Sequence, residues 1–191
     1  MPLIHRERVL RAATSSFLSQ GYRSSVDHIA RRAGVAKQTV YQHFPSKDEL
    51  FKAVARDLVK RVLVGLEAEP RELRAALLRF ARAYRRRVLS AEGIAMFRTV
   101  VPEVPRFRAL ARGMYASSAG ALVQRLSEYL AEAMQAGQLR RDDPQLAAEL
   151  LLGMLVGHDR IKRLFGVACA PEGEARRAAR IVDCFLRAYA P

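Results

Sequence analysis

Cysteine is almost missing from this chain: Cys169 and Cys184 are the only two in 191 residues. Two loosely spaced thiols cannot make a disulfide framework, so both are expected to stay reduced or, alternatively, to act as a redox-sensing pair. Long apolar runs are missing too. No stretch approaches the roughly 20 residues needed to span a bilayer, and Met1 to Leu10 is too polar and charged for a signal peptide. The expectation is a soluble, cytoplasmic protein with no membrane partner. Strand-like alternation, internal repeats and low-complexity tracts are absent, which leaves helical periodicity as the dominant signal. No glycine-rich phosphate loop, no His/Cys cluster at metal spacing and no local Ser/His/Asp signature occurs, so no enzymatic activity, cofactor or bound metal is expected.

Acidic side chains are also scarce. The 19 Asp and Glu face 33 Lys and Arg, a net charge of +14 with a pI near 10.8. Such an excess favours polyanionic partners, either nucleic acid or an acidic membrane surface. Through residue 50 only eight basic residues stand against four acidic ones. Most of the excess therefore lies further along, and charge alone does not locate a site. The length suffices for one large or two small domains with a substantial core.

What is present is concentrated in residues 24 to 47, SSVDHIARRAGVAKQTVYQHFPSK. Val26, Ile29, Ala30 and Ala33 share one helical face, Gly34 supplies a turn, and Val35, Val40 and Phe44 of a second short helix face back onto the first. Lys37, Gln38, Tyr41 and Gln42 are left outward. Gln bonds bidentately to adenine edges, Lys reaches guanine O6 and N7, and Tyr and Thr hydroxyls suit phosphate oxygens. A solvated polar face on an ordinary helix hairpin is the bland alternative. The flanks weigh against it: Arg6 to Gln20 reads as an amphipathic helix stopped by Gly21. Downstream, Pro45 ends the second element, and Ser46 with Glu49 forms a capping box that starts another helix at Lys47, a phosphate clamp.

The run GYRSSVDHIARRAGVAKQTVYQHFPSKDELF resembles the DNA-binding domain of TetR-type transcriptional repressors. That resemblance implies base contacts from Lys37, Gln38 and Gln42, and phosphate contacts from Ser25, Thr39, Tyr41, His43 and Lys47, with Ser24 also among the DNA-binding residues. Two departures stand out. The segment from Gly21 to Ile29 is a residue short, so either serine could cap the second helix. Position 36 is Ala where the family often has Ser, which forfeits on the order of 1 kcal/mol at that helix start.

Beyond this the chain reads as helical almost throughout, with turns at Pro70, Pro102 to Pro105, Gly137 to Pro144 and Cys169 to Gly173. Helices are expected over Lys47 to Leu66, Leu73 to Leu89, Ile94 to Val101, one or two within Phe107 to Met134, one from Asp143-Pro144, and one over Glu172 to Ala190. The fold expected is all-α, about nine helices, with a three-helix reader over residues 1–47 and a helical ligand-binding and dimerisation domain over 48–191. Leu146, Ala147, Leu150, Leu151, Met154 and Leu155 are apolar over a wider arc than one packing face needs, which points to a homodimer, the arrangement a lone helix-turn-helix requires. Completion of a monomeric core is the alternative.

MFRTVVPEVPRF, LARGMY and LSEYLAEAMQAGQLRRDDPQLAAELLLGML are similar to the ligand-binding domain of AefR-like TetR regulators. A pocket can be sketched from Met96, Phe97, Phe107, Met114, Tyr115, Met154, His158 and Phe165, with Arg98, Glu103, Arg106 and Arg160 as polar anchors. Plain core packing is the competing reading for each. The functional expectation is a dimeric repressor on a palindromic operator, released by a small, largely apolar effector. A sequence-tolerant architectural DNA binder and a helical interaction protein are its rivals.

Overall fold

The computed structural model describes residues 2–63, 66, 72–168 and 173–191. Among these the architecture is all helical: α1 (Pro2–Gln20), α2 (Val26–Ala33), α3 (Lys37–His43), α4 (Lys47–Leu63), α5 (Leu73–Val88), α6 (Ala91–Val100), α7 (Arg108–Tyr115), α8 (Ala121–Gln135), α9 (Pro144–Leu164) and α10 (Glu174–Ala188). Short 3-10 turns occupy Gly21–Arg23 and Val101–Glu103, and a π-helical turn, Ala116–Gly120, joins α7 to α8. The turns expected at Pro70 and at Cys169 to Glu172 lie outside the described residues.

The helices group into two compact units, and neither is one uninterrupted stretch of chain. The first holds residues 1–58 and 95–118, the second 59–94 and 119–191. A single cut after residue 47 therefore does not describe the packing: most of α4, the end of α6 and all of α7 belong with the reader helices.

In the first unit, Val9, Ala13 and Phe17 line the buried side of α1, and the chain turns at Gly21 with φ +65°. Against them lie Ile29 and Ala30 of α2, Val40 of α3, and Leu50, Phe51 and Val54 of α4. Val100, Leu110 and Met114, from the inserted segment, pack on this same core. Phe17 is fully buried and meets Phe51 edge to face at 4.8 Å. Loss of such a ring typically costs about 3–5 kcal/mol, because the transfer energy and the cavity left behind add.

The second unit is a bundle of α5, α8, α9 and α10, with Leu77, Phe80, Leu126, Leu130, Leu151, Leu155, Val182 and Phe185 at its centre. Helix α9 starts as its sequence demands. The Asp143 carboxylate accepts from the N–H groups of Gln145 and Leu146, and Pro144, which lacks an N–H, takes the first helical position.

Inside this bundle sits a group of charges that the periodicity does not announce. Arg85, 2% exposed, donates to the Leu155 carbonyl, to Asp159 at 2.9 Å and to Glu174 at 2.8 Å. Arg177 donates to the same Asp159 at 2.9 Å, and Arg163 to Glu174 at 3.1 Å. The cluster ties α5, α9 and α10 together. Burial pushes the Asp159 carboxyl up, but the hydrogen bonds from Arg85 and Arg177 outweigh it and hold the group below its ordinary value.

Candidate nucleic-acid interface

Ser25 caps α2: its backbone is extended and its hydroxyl accepts from the His28 N–H at 3.1 Å. That settles which serine starts the helix, and it corrects the expectation for Ser24. Ser24 is 2% exposed with its hydroxyl enclosed, so it has no surface to offer a phosphate. At the far end of α2, Gly34 adopts φ +62°, and the N–H groups of Gly34 and Val35 close onto the Arg31 and Ala30 carbonyls. Only glycine enters this left-handed region without strain. The Gly34 carbonyl also accepts from the Arg8 guanidinium at 3.3 Å, and a Cβ at Gly34 would lie 2.5 Å from that group.

Helix α3 follows with Ala36 at its N-cap and no side-chain cap bond. Its start is held by packing, with Val40 and Phe44 buried and Val35 partly so. Lys37, Gln38, Tyr41 and Gln42 are exposed, while Thr39 and His43 are half-buried. The polar quartet thus shares one outward surface. Lys37 is not unattached there: its ammonium lies 2.9 Å from Asp27, whose hydrogen bond raises the lysine above its ordinary value.

At the start of α4 the Ser46 hydroxyl accepts from the Glu49 N–H at 3.1 Å, one half of the expected capping box. The Glu49 carboxylate instead turns to Lys52 and Arg56. Lys47 stands 4.2 Å over the Tyr22 ring. Partial burial lowers its ammonium, with Asp48 opposing the shift. The Tyr22 hydroxyl donates to Asp48, and its ring meets Phe51 at 5.3 Å and Phe107 at 5.4 Å. Burial, then the bond to Asp48, pushes the Tyr22 phenol well above its ordinary range. Tyr22 and Arg8 therefore position Lys47 and the turn before α3. The aromatic after Gly21 was the only sequence trace of the first, and nothing in the pattern marked the second.

The residues sketched as a ligand pocket fall in different settings. Phe107 and Met114, with Tyr22, Phe51, Val100 and Leu110, line an apolar cavity of about 20 Å³ inside the first unit. Small-molecule sites run to about 300–1,000 Å³, so this space is packed core. Met96 is half-buried, and Phe97 and Tyr115 are 38% and 61% exposed. Met154, His158 and Phe165 lie on the outer side of α9, His158 exposed rather than in the core. They line up there with Leu146, Leu150 and Ile161, each roughly half-exposed, while Ala147, Leu151 and Leu155 take the inner side.

Of the anchors, Arg106 stacks on Phe107 at 5.3 Å and Arg160 bonds the Tyr84 hydroxyl; the Glu103 side chain lies outside the described residues. Cys184 is exposed with a free thiol, and Cys169 lies outside the described residues. Among the described residues no group of three His, Cys, Asp or Glu could hold a metal, and no helix is long and apolar enough to cross a membrane.

Residues 9–54 match the family described as bacterial regulatory proteins, tetR family, and residues 75–191 match the AefR-like transcriptional repressor C-terminal domain. The HTH-type transcriptional activator FasR of Mycolicibacterium smegmatis is 44% identical over 62 residues, 32% of this chain and 28% of that protein. The HTH-type regulator YhgD of Bacillus subtilis is 36% identical over 63 residues, 32% of this chain and 33% of its own. The chain thus spans a third or less of the length of these curated relatives. Among solved structures, the flavonoid-responsive regulator FrrA is 32% identical over 98% of this chain and 97% of that one, with a TM-score of 0.74. A TetR-family regulator from Mesorhizobium loti covers 100% and 99% at 25% identity, with a TM-score of 0.77. With both halves of the fold matched, the chain belongs to the TetR family of bacterial DNA-binding transcriptional regulators and carries an AefR-like C-terminal domain.

Proposed function

We propose that the protein is a dimeric repressor that reads a palindromic operator and leaves it when a small, largely apolar ligand binds. The observation that carries the reading is the outward quartet of α3, Lys37, Gln38, Tyr41 and Gln42, on a helix whose other side is locked into the core by Val40 and Phe44. Base contacts fall to Lys37, Gln38 and Gln42. Phosphate contacts fall to Ser25, Thr39, Tyr41, His43 and Lys47.

One such helix spans a single half-site, and a second copy about 34 Å away supplies the other. The exposed apolar stripe Leu146, Leu150, Met154 and Ile161 of α9, extended by Phe165 at its C-cap, supports a second copy of this chain as the partner, since a monomer would leave that row in water. Met154, His158 and Phe165 then serve association. The name of FrrA makes flavonoid-like aromatics the first effectors to assay. Coupling has three covalent routes, because the chain passes from one compact unit to the other within α4, within α6 and in the π-helical turn before α8. About 1–3 kcal/mol of differential affinity is enough.

Selection from random duplex DNA with purified protein tests the reading. A palindromic consensus with half-sites one turn apart supports it. Binding that depends on salt alone with no consensus favours the architectural rival, and absence of binding overturns the reading.

A further inference from the structure

We propose that Asp27 is a specificity-determining residue that competes with DNA for Lys37, weakening attachment to arbitrary duplex more than attachment to the operator. The inference rests on the DNA-reading role argued above.

Asp27 is the only acidic residue between Arg8 and Lys47, a stretch otherwise supplied with Arg, Lys and His. An acid there opposes the approach of any polyanion. Its carboxylate is not turned into the core or toward a helix neighbour: it reaches across from the first turn of α2 to the first residue of α3 and takes the Lys37 ammonium at 2.9 Å. Both side chains remain more than half exposed, 51% and 59%, so the pair is open to exchange. Asp27 is held in place by the geometry of its own helix. It stands two residues after the Ser25 cap, in the first turn, where the positive end of α2 favours a carboxylate.

A lysine still balanced by a carboxylate adds no net neutralisation of phosphate, so its contact brings no net release of the cations condensed on DNA. Non-specific affinity is built almost wholly from such releases. On arbitrary sequence, breaking the Asp27–Lys37 pair exchanges one ionic contact for another and strands the carboxylate beside the DNA. On the operator, hydrogen bonds from Lys37 to a base edge are added, and these repay the exchange. Asp27 thus subtracts from every complex but subtracts least where the bases match.

The test is a double-mutant cycle of Asp27→Asn and Lys37→Gln, read by fluorescence anisotropy on the selected consensus duplex and on a scrambled duplex of equal composition, across a salt series. Both positions are exposed, and far-UV circular dichroism checks that the helices are intact. Asp27→Asn is expected to tighten binding to scrambled duplex about two- to fivefold and to steepen its salt slope by about one, with a smaller gain on the consensus. In the Lys37→Gln background those gains should vanish. An equal gain in both backgrounds overturns the proposal, because the carboxylate would then act as general repulsion. Weaker consensus binding by Asp27→Asn also overturns it, since Asp27 would be orienting Lys37 for the base. If the wild-type protein prefers no duplex at all, the DNA-reading role itself fails and this proposal with it.

Discussion

Arg85 offers the sharpest test of what holds the second unit together. Its guanidinium is 2% exposed and donates to Leu155, Asp159 and Glu174, so Arg85→Met removes every one of those bonds and takes from Asp159, 3% exposed, its cationic partner on α5. Removing one partner of a buried ion pair costs about 3–5 kcal/mol, since the surviving charge keeps its desolvation penalty and loses its compensation. For a chain of this size that corresponds to a fall in Tm of roughly 6–20 °C. Thermal or urea unfolding followed by circular dichroism, at fixed protein concentration, reads it directly. Arg85→Lys should fall between, because an ammonium keeps the charge but cannot fork toward three acceptors. Pairing Arg85→Met with Asp159→Leu should recover part of the loss, as both buried charges go together. A loss below about 1 kcal/mol for Arg85→Met, within the range of exposed pairs, would refute the reasoning. So would a double variant no better than the single one.

The same cluster sets an acid limit. Because the Asp159 carboxyl is depressed in the fold, the unfolded chain binds its proton first as pH falls. Its contribution is full above about pH 4 and disappears as pH drops through the depressed folded value, so the stability gap between wild type and Asp159→Asn should narrow as acid titrations go below the ordinary carboxylate range. In the reader, Gly34→Ala should cost at least about 1–2 kcal/mol for its left-handed backbone, visible as a lower urea midpoint, with the Arg8 guanidinium displaced besides. Ala36→Ser should move the other way by about 0.5–2 kcal/mol, by providing the missing cap oxygen. Gln38→Ala should relax preference at one base pair of the selected consensus while leaving the salt slope unchanged. Leu150→Glu with Ile161→Glu should convert a dimer to a monomer in analytical ultracentrifugation, and an unchanged mass would remove α9 from the interface.

Much of the reader was legible in the sequence because its signals are local. Val26, Ile29, Ala30 and Ala33 fall on one face at helical spacing, Gly34 sits where only a left-handed residue fits, and Ser46 stands three residues before Glu49. The expected helices α5 and α6 appear for the same reason, each within a few residues of its expected ends, and α9 starts at the expected Asp143-Pro144. Ser24 escaped this reading, since two adjacent serines look alike until the chain path buries one and points the other at an N–H. Phe107 and Met114 escaped it as well. Their residue types suit a pocket, and only the packing of segment 95–118 leaves them partly buried, with Phe107 against the Tyr22 ring and Met114 against the core of the first unit.

By itself, then, the amino-acid order determined the helices, the turn at Gly34, the polar quartet of α3 and the doubly apolar character of α9, because each depends on neighbours within a few residues. Tertiary structure alone decided that Asp27 meets Lys37, that Tyr22 meets Lys47, Asp48 and Phe107, and that Arg85, Asp159 and Glu174 converge. Those contacts join residues 10 to 89 positions apart. No local period encodes such pairings, and they exist only where packing brings distant charges and rings into register.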